Sequence, residues 1–278
     1  MRMIAYAAAT LTLIVAQMAP SFAAGNPQAE GLTEQIVETT PRQGVYQRSL
    51  LSRKATQGEK WLVMSFPGYP GILRLAQKDG VIEYELKGNF LVRARRHLVS
   101  NDIAVATLDC PSDQFADCGD AYRASDKQVR DVETQIEALK AIVGPQVKVA
   151  LIGTSYGTVS TEILALKLGG KVDAVIHTSS FTRPARGKGM VLNGIDLTKA
   201  TMRQLLVHHQ DDPCDLTPFA PLKKYEGVIP IMRVKGQDNP HGADCQAFTA
   251  HGFVGRERMV MNSIGDWLVN DHLTEVIE

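Results

Sequence analysis

A serine framed by two glycines is the residue of this chain best placed to do chemistry. The segment Val147–Gly157 reads V-K-V-A-L-I-G-T-S-Y-G, so a short apolar run leads directly into Gly153-x-Ser155-x-Gly157. This pattern is typical of a nucleophile elbow, the tight turn that holds a serine between a buried strand and a helix. Glycine is needed on both sides because strand and helix leave no room there for a side chain. The motif predicts that Ser155 is a nucleophile.

The elements that must position this serine follow a regular alternation. The predicted strands are Trp61–Phe66, Ile103–Leu108, Val147–Ile152, Val172–Thr178, Gln204–His208 and Ile229–Val234. Helical periodicity is clearest over Asp126–Ile142 and, near the end, from about Arg256 to Val269. Near-continuous apolar strands separated by helices predict an α/β fold, with a mostly parallel sheet covered by helices on both faces. Ligands bind at the carboxyl ends of the strands in such a sheet, which is where Ser155 falls.

Two segments depart from this alternation. Ile72–Leu86 contains two strand-like runs around Lys78-Asp79-Gly80 and predicts an inserted hairpin. Ser179–Thr201 is rich in glycine, arginine and lysine but too short for a separate lid domain. Its basic residues, Arg183, Arg186 and Lys188, either favour an anionic substrate or are simply solvated charges of a polar loop.

Composition excludes several classes of function. The 278 residues carry 30 basic and 30 acidic side chains, whereas nucleic-acid binding normally requires a basic surplus or stripe. The chain contains no H-E-x-x-H, no C-x-x-C, no phosphate loop and no dinucleotide fingerprint. We therefore expect no nucleic-acid partner, no metal and no cofactor.

The N-terminus predicts export. Residues 1–23 have the order of a signal peptide: a positive charge at Arg2, the apolar run Met3–Met18 and a cleavage site at Ser21-Phe22-Ala23. The alternative is an uncleaved anchor. We expect the mature protein to be periplasmic or secreted, with no stable membrane span. Residues 24–44 are polar and predict a loose N-terminal arm, followed by a single domain over residues 45–278.

Export changes the meaning of the four cysteines. In an oxidising compartment they predict two disulfides, for which three connectivities exist. Spacing favours Cys110 with Cys118 and Cys214 with Cys245, although buried free thiols remain the alternative.

A serine followed along the chain by an aspartate and then a histidine is the order found in α/β-hydrolases. The chain resembles that superfamily from about Trp61 to its C-terminus. Four segments resemble more closely a group of exported, largely uncharacterised bacterial hydrolases: Gly88–Arg96, Asp109–Asp113, Val207–Cys214 and His251–Phe253. The resemblance implies an α/β-hydrolase fold and a Ser-His-Asp triad, but no particular substrate.

The resemblance also assigns the partners of Ser155. His251, just ahead of the last helical pattern, is the expected base, with His241 as its rival on the same connection. Asp212 is the expected acid that orients the histidine, with its neighbour Asp211 as competitor. A disulfide between Cys214 and Cys245 would tie the acid's loop to the base's loop.

Two backbone amides are needed to bind the oxyanion of the reaction. The resemblance places one at Tyr156, directly after the serine, and the other at Tyr69, in the loop Pro67–Gly71. Many relatives have His-Gly at the start of this loop, whereas this chain has Pro67-Gly68.

The expected activity is therefore that of an exported serine hydrolase, acting on small-molecule carboxylic esters. A peptidase or an acyltransferase would use the same machinery. A non-catalytic binding protein on the same fold is a further alternative, although it would not need all three groups of a triad.

Overall fold

The structure is a computed structural model that describes residues 32–55 and 58–278, so the predicted signal peptide lies outside it. The strands are β1 (Thr33–Arg42), β2 (Val45–Arg53), β3 (Trp61–Phe66), β4 (Ala76–Lys78), β5 (Val81–Glu83), β6 (Ile103–Leu108), β7 (Lys148–Thr154), β8 (Ala174–Thr178), β9 (Arg203–His209), β10 (Ile231–Val234) and β11 (Val276–Ile277). The helices are α1 (Phe90–Leu98), α2 (Asp120–Arg123), α3 (Asp126–Val143), α4 (Gly157–Leu168) and α5 (Glu257–Asn270). Within the described ranges, no helix has both the length and the apolarity needed to cross a membrane.

One large sheet organises the molecule. Its strand order is β1-β2-β6-β3-β7-β8-β9-β10-β11. The pairs β1–β2 and β2–β6 are antiparallel, and from β6 onwards every neighbouring pair is parallel. The mostly parallel α/β architecture predicted from the sequence is confirmed.

Alternation along the central strands builds a separate core on each face of the sheet, because successive strand residues point to opposite sides. In β3, Trp61 and Val63 belong to the core formed with α1 and α5. Leu62 and Met64 belong to the core formed with α3 and α4. The sheet is therefore covered on both faces, and this explains why its central strands consist almost wholly of apolar residues.

The predicted elements are largely confirmed. Each of the six predicted strands is present, as are both predicted helices, and no end differs by more than two residues. The inserted hairpin is also present, although its paired part is limited to β4 and β5.

The prediction of a loose arm over residues 24–44 is wrong for the part that the structure describes. Thr33–Arg42 forms β1 at the edge of the sheet, and its single buried apolar residue is Val37. Charged residues of β1 form ion pairs with the rest of the domain. Glu34 lies 2.8 Å from the buried guanidinium of Arg95, and Arg42 pairs with Asp131 at 2.8 Å. An edge strand needs few apolar residues, so the polar composition of this segment gave no signal for a strand. The folded domain therefore begins by Thr33, not at residue 45.

Candidate active site

Ser155 has a left-handed backbone conformation, with φ of 51°, at the turn from β7 into α4. Its amide donates to the Thr178 carbonyl at 3.1 Å. The turn tolerates no side chain at either glycine. A Cβ on Gly157 would lie 2.1 Å from the Phe66 carbonyl oxygen, and one on Gly153 would lie 2.7 Å from the Gly157 carbonyl oxygen. Positive φ at a non-glycine residue persists only where the surroundings enforce it. This turn has the geometry that the motif predicts.

The loop after β3 runs directly beside the serine. A Cβ on Gly68 would lie 3.2 Å from the Cβ of Ser155, and the rings of Tyr69 and Tyr156 are 6.2 Å apart. Tyr156 caps the N-terminus of α4, where amides lack an acceptor within the helix and where the helix dipole favours negative charge. The structure thus brings both residues predicted for the oxyanion site next to Ser155.

His251 and Asp212 are in hydrogen-bond contact. Asp212 follows β9, and His251 lies in the short 3-10 helix Ala250–Gly252 ahead of α5. Their Nδ1 and Oδ2 atoms are 3.1 Å apart, and the Asp212 side chain is fully buried. Asp211 is exposed, and its amide binds His209 instead. Of the two adjacent aspartates, Asp212 is the one that orients the histidine.

Thr217 also takes part in this contact, and the sequence did not predict its involvement. Its hydroxyl donates to Asp212 Oδ2 at 2.9 Å and lies 3.0 Å from His251 Nδ1. With the Nδ1 proton directed at the carboxylate, the Thr217 oxygen accepts a second, shared hydrogen bond from it. The second carboxylate oxygen accepts from the Cys214 amide at 3.0 Å. The acid is therefore held in place by a hydroxyl and an amide, besides the imidazole.

His208 lies beneath the acid and is neutral. Its Nδ1 accepts from the Ser180 amide at 3.2 Å, which leaves Nε2 to donate to the Thr217 carbonyl at 2.7 Å. Burial lowers the pKa of His208 to about 4, so this ring carries no charge near neutral pH although its Nε2 is 3.5 Å from Asp212. Of these two imidazoles, that of His251 both contacts Asp212 and lines the cavity.

His241, the rival base, lies apart from these groups. It is exposed, its ring stacks on Phe248 with centroids 5.0 Å apart, and it is not among the cavity-lining residues.

A cavity of about 430 Å³ brings the predicted groups to one place. Ser155 and His251 both line it, as do Tyr69 and Tyr156. Its apolar wall includes the aromatic rings of Phe90, Phe181 and Phe248, together with Leu86 and Leu216. The Ser155 hydroxyl makes no hydrogen bond to His251 or to any other described residue. Such contacts are often long in a free enzyme and tighten when substrate binds.

Two disulfides are present, Cys110–Cys118 and Cys214–Cys245, which is the pairing that the spacing favours. Both cysteines of the second bond line the cavity. Cys214 follows Asp212 by two residues and its amide holds the carboxylate, while Cys245 lies on the segment that leads to His251. This bond therefore joins the chain segments that carry Asp212 and His251.

Comparison with known proteins gives the fold. No protein-family model matches the chain, and no curated protein is detectably similar to it. Among solved structures, Est1E from Butyrivibrio proteoclasticus is 13% identical with a TM-score of 0.56, over 84% of this chain and 98% of that one. A cold-adapted esterase from an Arctic intertidal metagenomic library is 13% identical with a TM-score of 0.51, over 76% and 87%. The 2,6-dihydroxy-pseudo-oxynicotine hydrolase is 12% identical with a TM-score of 0.56, over 87% and 70%. With the sheet described above, these likenesses identify the α/β-hydrolase fold.

The contact between Asp212 and His251 yields a first prediction. Asp212→Asn should lower kcat by about a thousandfold or more, because an amide can neither stabilise the imidazolium nor hold its tautomer. Asp211→Asn is the matched control and should stay within a few-fold of wild type. Steady-state ester hydrolysis by both variants measures this. Equal losses in the two variants, or a small loss in Asp212→Asn, would contradict the assignment.

A second prediction concerns Thr217 as a positioning residue. Thr217→Val keeps the shape of the side chain but removes a hydrogen bond to a charged acceptor, so kcat should fall about ten- to a hundredfold. KM should change little, because Thr217 does not line the cavity. Thr217→Ser retains the hydroxyl and should recover most of the rate. Equal loss in the valine and serine variants would indicate a packing role instead.

A third prediction concerns the Cys214–Cys245 bond. Cys214→Ala/Cys245→Ala should lower kcat about tenfold at temperatures where circular dichroism still reports a folded protein, because the geometry of such a site must hold to a fraction of an ångström. The double variant should also lose ~3–4 kcal/mol of stability, from a cross-link spanning 31 residues. Cys110→Ala/Cys118→Ala is the control, since neither of its cysteines lines the cavity. An unchanged rate in the first variant would refute the coupling.

Proposed function

We propose that this protein is an exported serine hydrolase that cleaves carboxylic esters of small molecules through an acyl-enzyme intermediate. Ser155 Oγ attacks the acyl carbon while His251 takes its proton, and Asp212 stabilises the imidazolium that forms. The amides of Tyr69 and Tyr156 bind the oxyanion of the tetrahedral intermediate. His251 then protonates the departing alcohol, and water, activated by the same histidine, releases the acid and restores the serine.

The observation that carries the proposal is the convergence of three independent features on one cavity. A serine at φ 51° stands at the N-terminus of α4, and a histidine in the same cavity is oriented by a buried carboxylate at 3.1 Å. The loop containing Gly68 passes the serine closely enough to supply a second amide. An ordinary strand-to-helix turn requires none of these additional groups.

The structural neighbours support the same class of chemistry, since two of them are described as an esterase and a hydrolase. The fold alone does not determine the reaction, so the proposal depends on the residues in the cavity. Export is supported by the order of residues 1–23 and by the two disulfides, which persist in oxidising compartments such as the periplasm or the cell exterior.

The decisive experiment is covalent labelling with a fluorophosphonate probe, which reacts only with an activated serine. The folded, oxidised wild-type protein should be labelled, and Ser155→Ala should not. Hydrolysis of p-nitrophenyl esters of graded acyl length should be lost in parallel with labelling. Mass spectrometry of the labelled peptide then identifies the modified residue.

Two results would redirect the proposal. Absence of labelling and of turnover in folded wild-type protein would favour a non-catalytic binding protein. Faster cleavage of aminoacyl p-nitroanilides than of the esters would favour a peptidase, and transfer of the acyl group to an added alcohol in preference to water would favour an acyltransferase.

A further inference from the structure

The described residues that line the cavity include basic side chains but no acidic ones. Among the described residues that line it, Lys188 and His251 are the ones whose side chains can be positively charged, and none is an aspartate or a glutamate. Because His251 serves as the proposed base, Lys188 is the permanent charge at this site. The remaining wall is mostly apolar and aromatic.

Lys188 is fixed by its backbone, although it lies in the long loop between β8 and β9. Ala185 and Lys188 exchange two backbone hydrogen bonds, of 2.9 and 2.8 Å, across a tight turn. The next residue, Gly189, donates its amide to the Asp120 carboxylate at 2.8 Å. The same carboxylate accepts from the Tyr156 hydroxyl at 2.5 Å. Asp120 thus anchors the loop that carries Lys188 to the residue that follows Ser155.

The side chain of Lys188 lines the same cavity as Ser155 and His251, and its ammonium group lies over the ring of Tyr69. Its Nζ is 3.5 Å from the ring centroid of Tyr69, whose amide is the proposed second oxyanion donor. No carboxylate in the described part of the chain forms an ion pair with Lys188. An aromatic face attracts a cation without neutralising it, so the charge remains available to a ligand.

The other basic residues of this loop do not share this placement. Arg183 and Arg186 are exposed and are absent from the cavity lining. The sequence left open whether these three basic residues favour an anionic substrate or are solvated charges, and of the three Lys188 is the one that lines the cavity.

We propose that the substrate is an ester that also carries a carboxylate, and that Lys188 binds this carboxylate while the ester carbonyl meets Ser155. The inference rests on the proposed function, which it narrows from esters in general to anionic esters. Lys188 is proposed to pair with this carboxylate whether it belongs to the acyl chain or to the alcohol of the ester. An acidic residue at the rim would repel such a substrate, and none lines the cavity.

The test uses two pairs of esters that differ only in charge. Ethyl hydrogen adipate against its terminal carboxamide places the anion on the acyl side, and 4-acetoxybenzoate against 4-acetoxybenzamide places it on the alcohol side. For wild type, kcat/KM should favour the anion by at least about tenfold in one pair, since a charge-assisted hydrogen bond is lost in the amide. The pair that shows the preference identifies the side.

The variants isolate Lys188. Lys188→Gln should abolish the preference, Lys188→Arg should keep most of it, and Arg186→Gln, an exposed charge on the same turn, should leave it unchanged. No preference in wild type in either pair, a preference that survives Lys188→Gln, or equal losses on anionic and neutral esters would each overturn the inference.

Failure of the inference is distinguishable from failure of the proposed function. Turnover of the carboxamides together with fluorophosphonate labelling, but without a charge preference, would refute the anionic substrate alone. Absence of labelling and of turnover on all four esters would refute the hydrolase itself.

Discussion

The approach of α4 to the end of β3 is the constraint on which the site depends. With no side chain at Gly157, the helix starts against the Phe66 carbonyl, where even a Cβ would be 2.1 Å away. That approach forces Ser155 into a left-handed conformation and lifts it above the carboxyl ends of the strands. It also brings the loop after β3 alongside the serine, so one steric contact positions both the proposed nucleophile and the proposed oxyanion amides.

A second constraint is the burial of the acid. A fully buried carboxylate is stable only when it is well hydrogen-bonded, and Asp212 accepts from the Thr217 hydroxyl, the Cys214 amide and His251. Burial keeps His208 neutral beneath it. The negative charge of Asp212 therefore acts mainly on the imidazole of His251, which lines the cavity. The hydrogen bonds that satisfy this buried carboxylate also provide the charge distribution that the proposed proton transfer from Ser155 to His251 requires.

The central strands and the elbow could be predicted because their signals are local: apolar runs, periodicity and two glycines at fixed spacing. The edge strand β1 could not be predicted in this way, because a strand at the edge of the sheet needs only one buried apolar residue here. Thr217 carries no signal of its own, because it acts through two residues that meet it only in the folded chain. Lys188 could not be separated from Arg183 in the sequence, since its placement depends on Asp120, 69 residues before Gly189.

The ion pair between Glu34 and Arg95 sets a limit on proteolytic trimming. Arg95 has no exposed side-chain surface, and Glu34 supplies the carboxylate that compensates its charge. Removal of the predicted leader, residues 1–23, would leave this carboxylate in place. A protease that cut beyond residue 34 would strand an uncompensated guanidinium in the interior, which costs about 3–5 kcal/mol. A cleavage site upstream of β1, such as the one predicted after residue 23, avoids this cost.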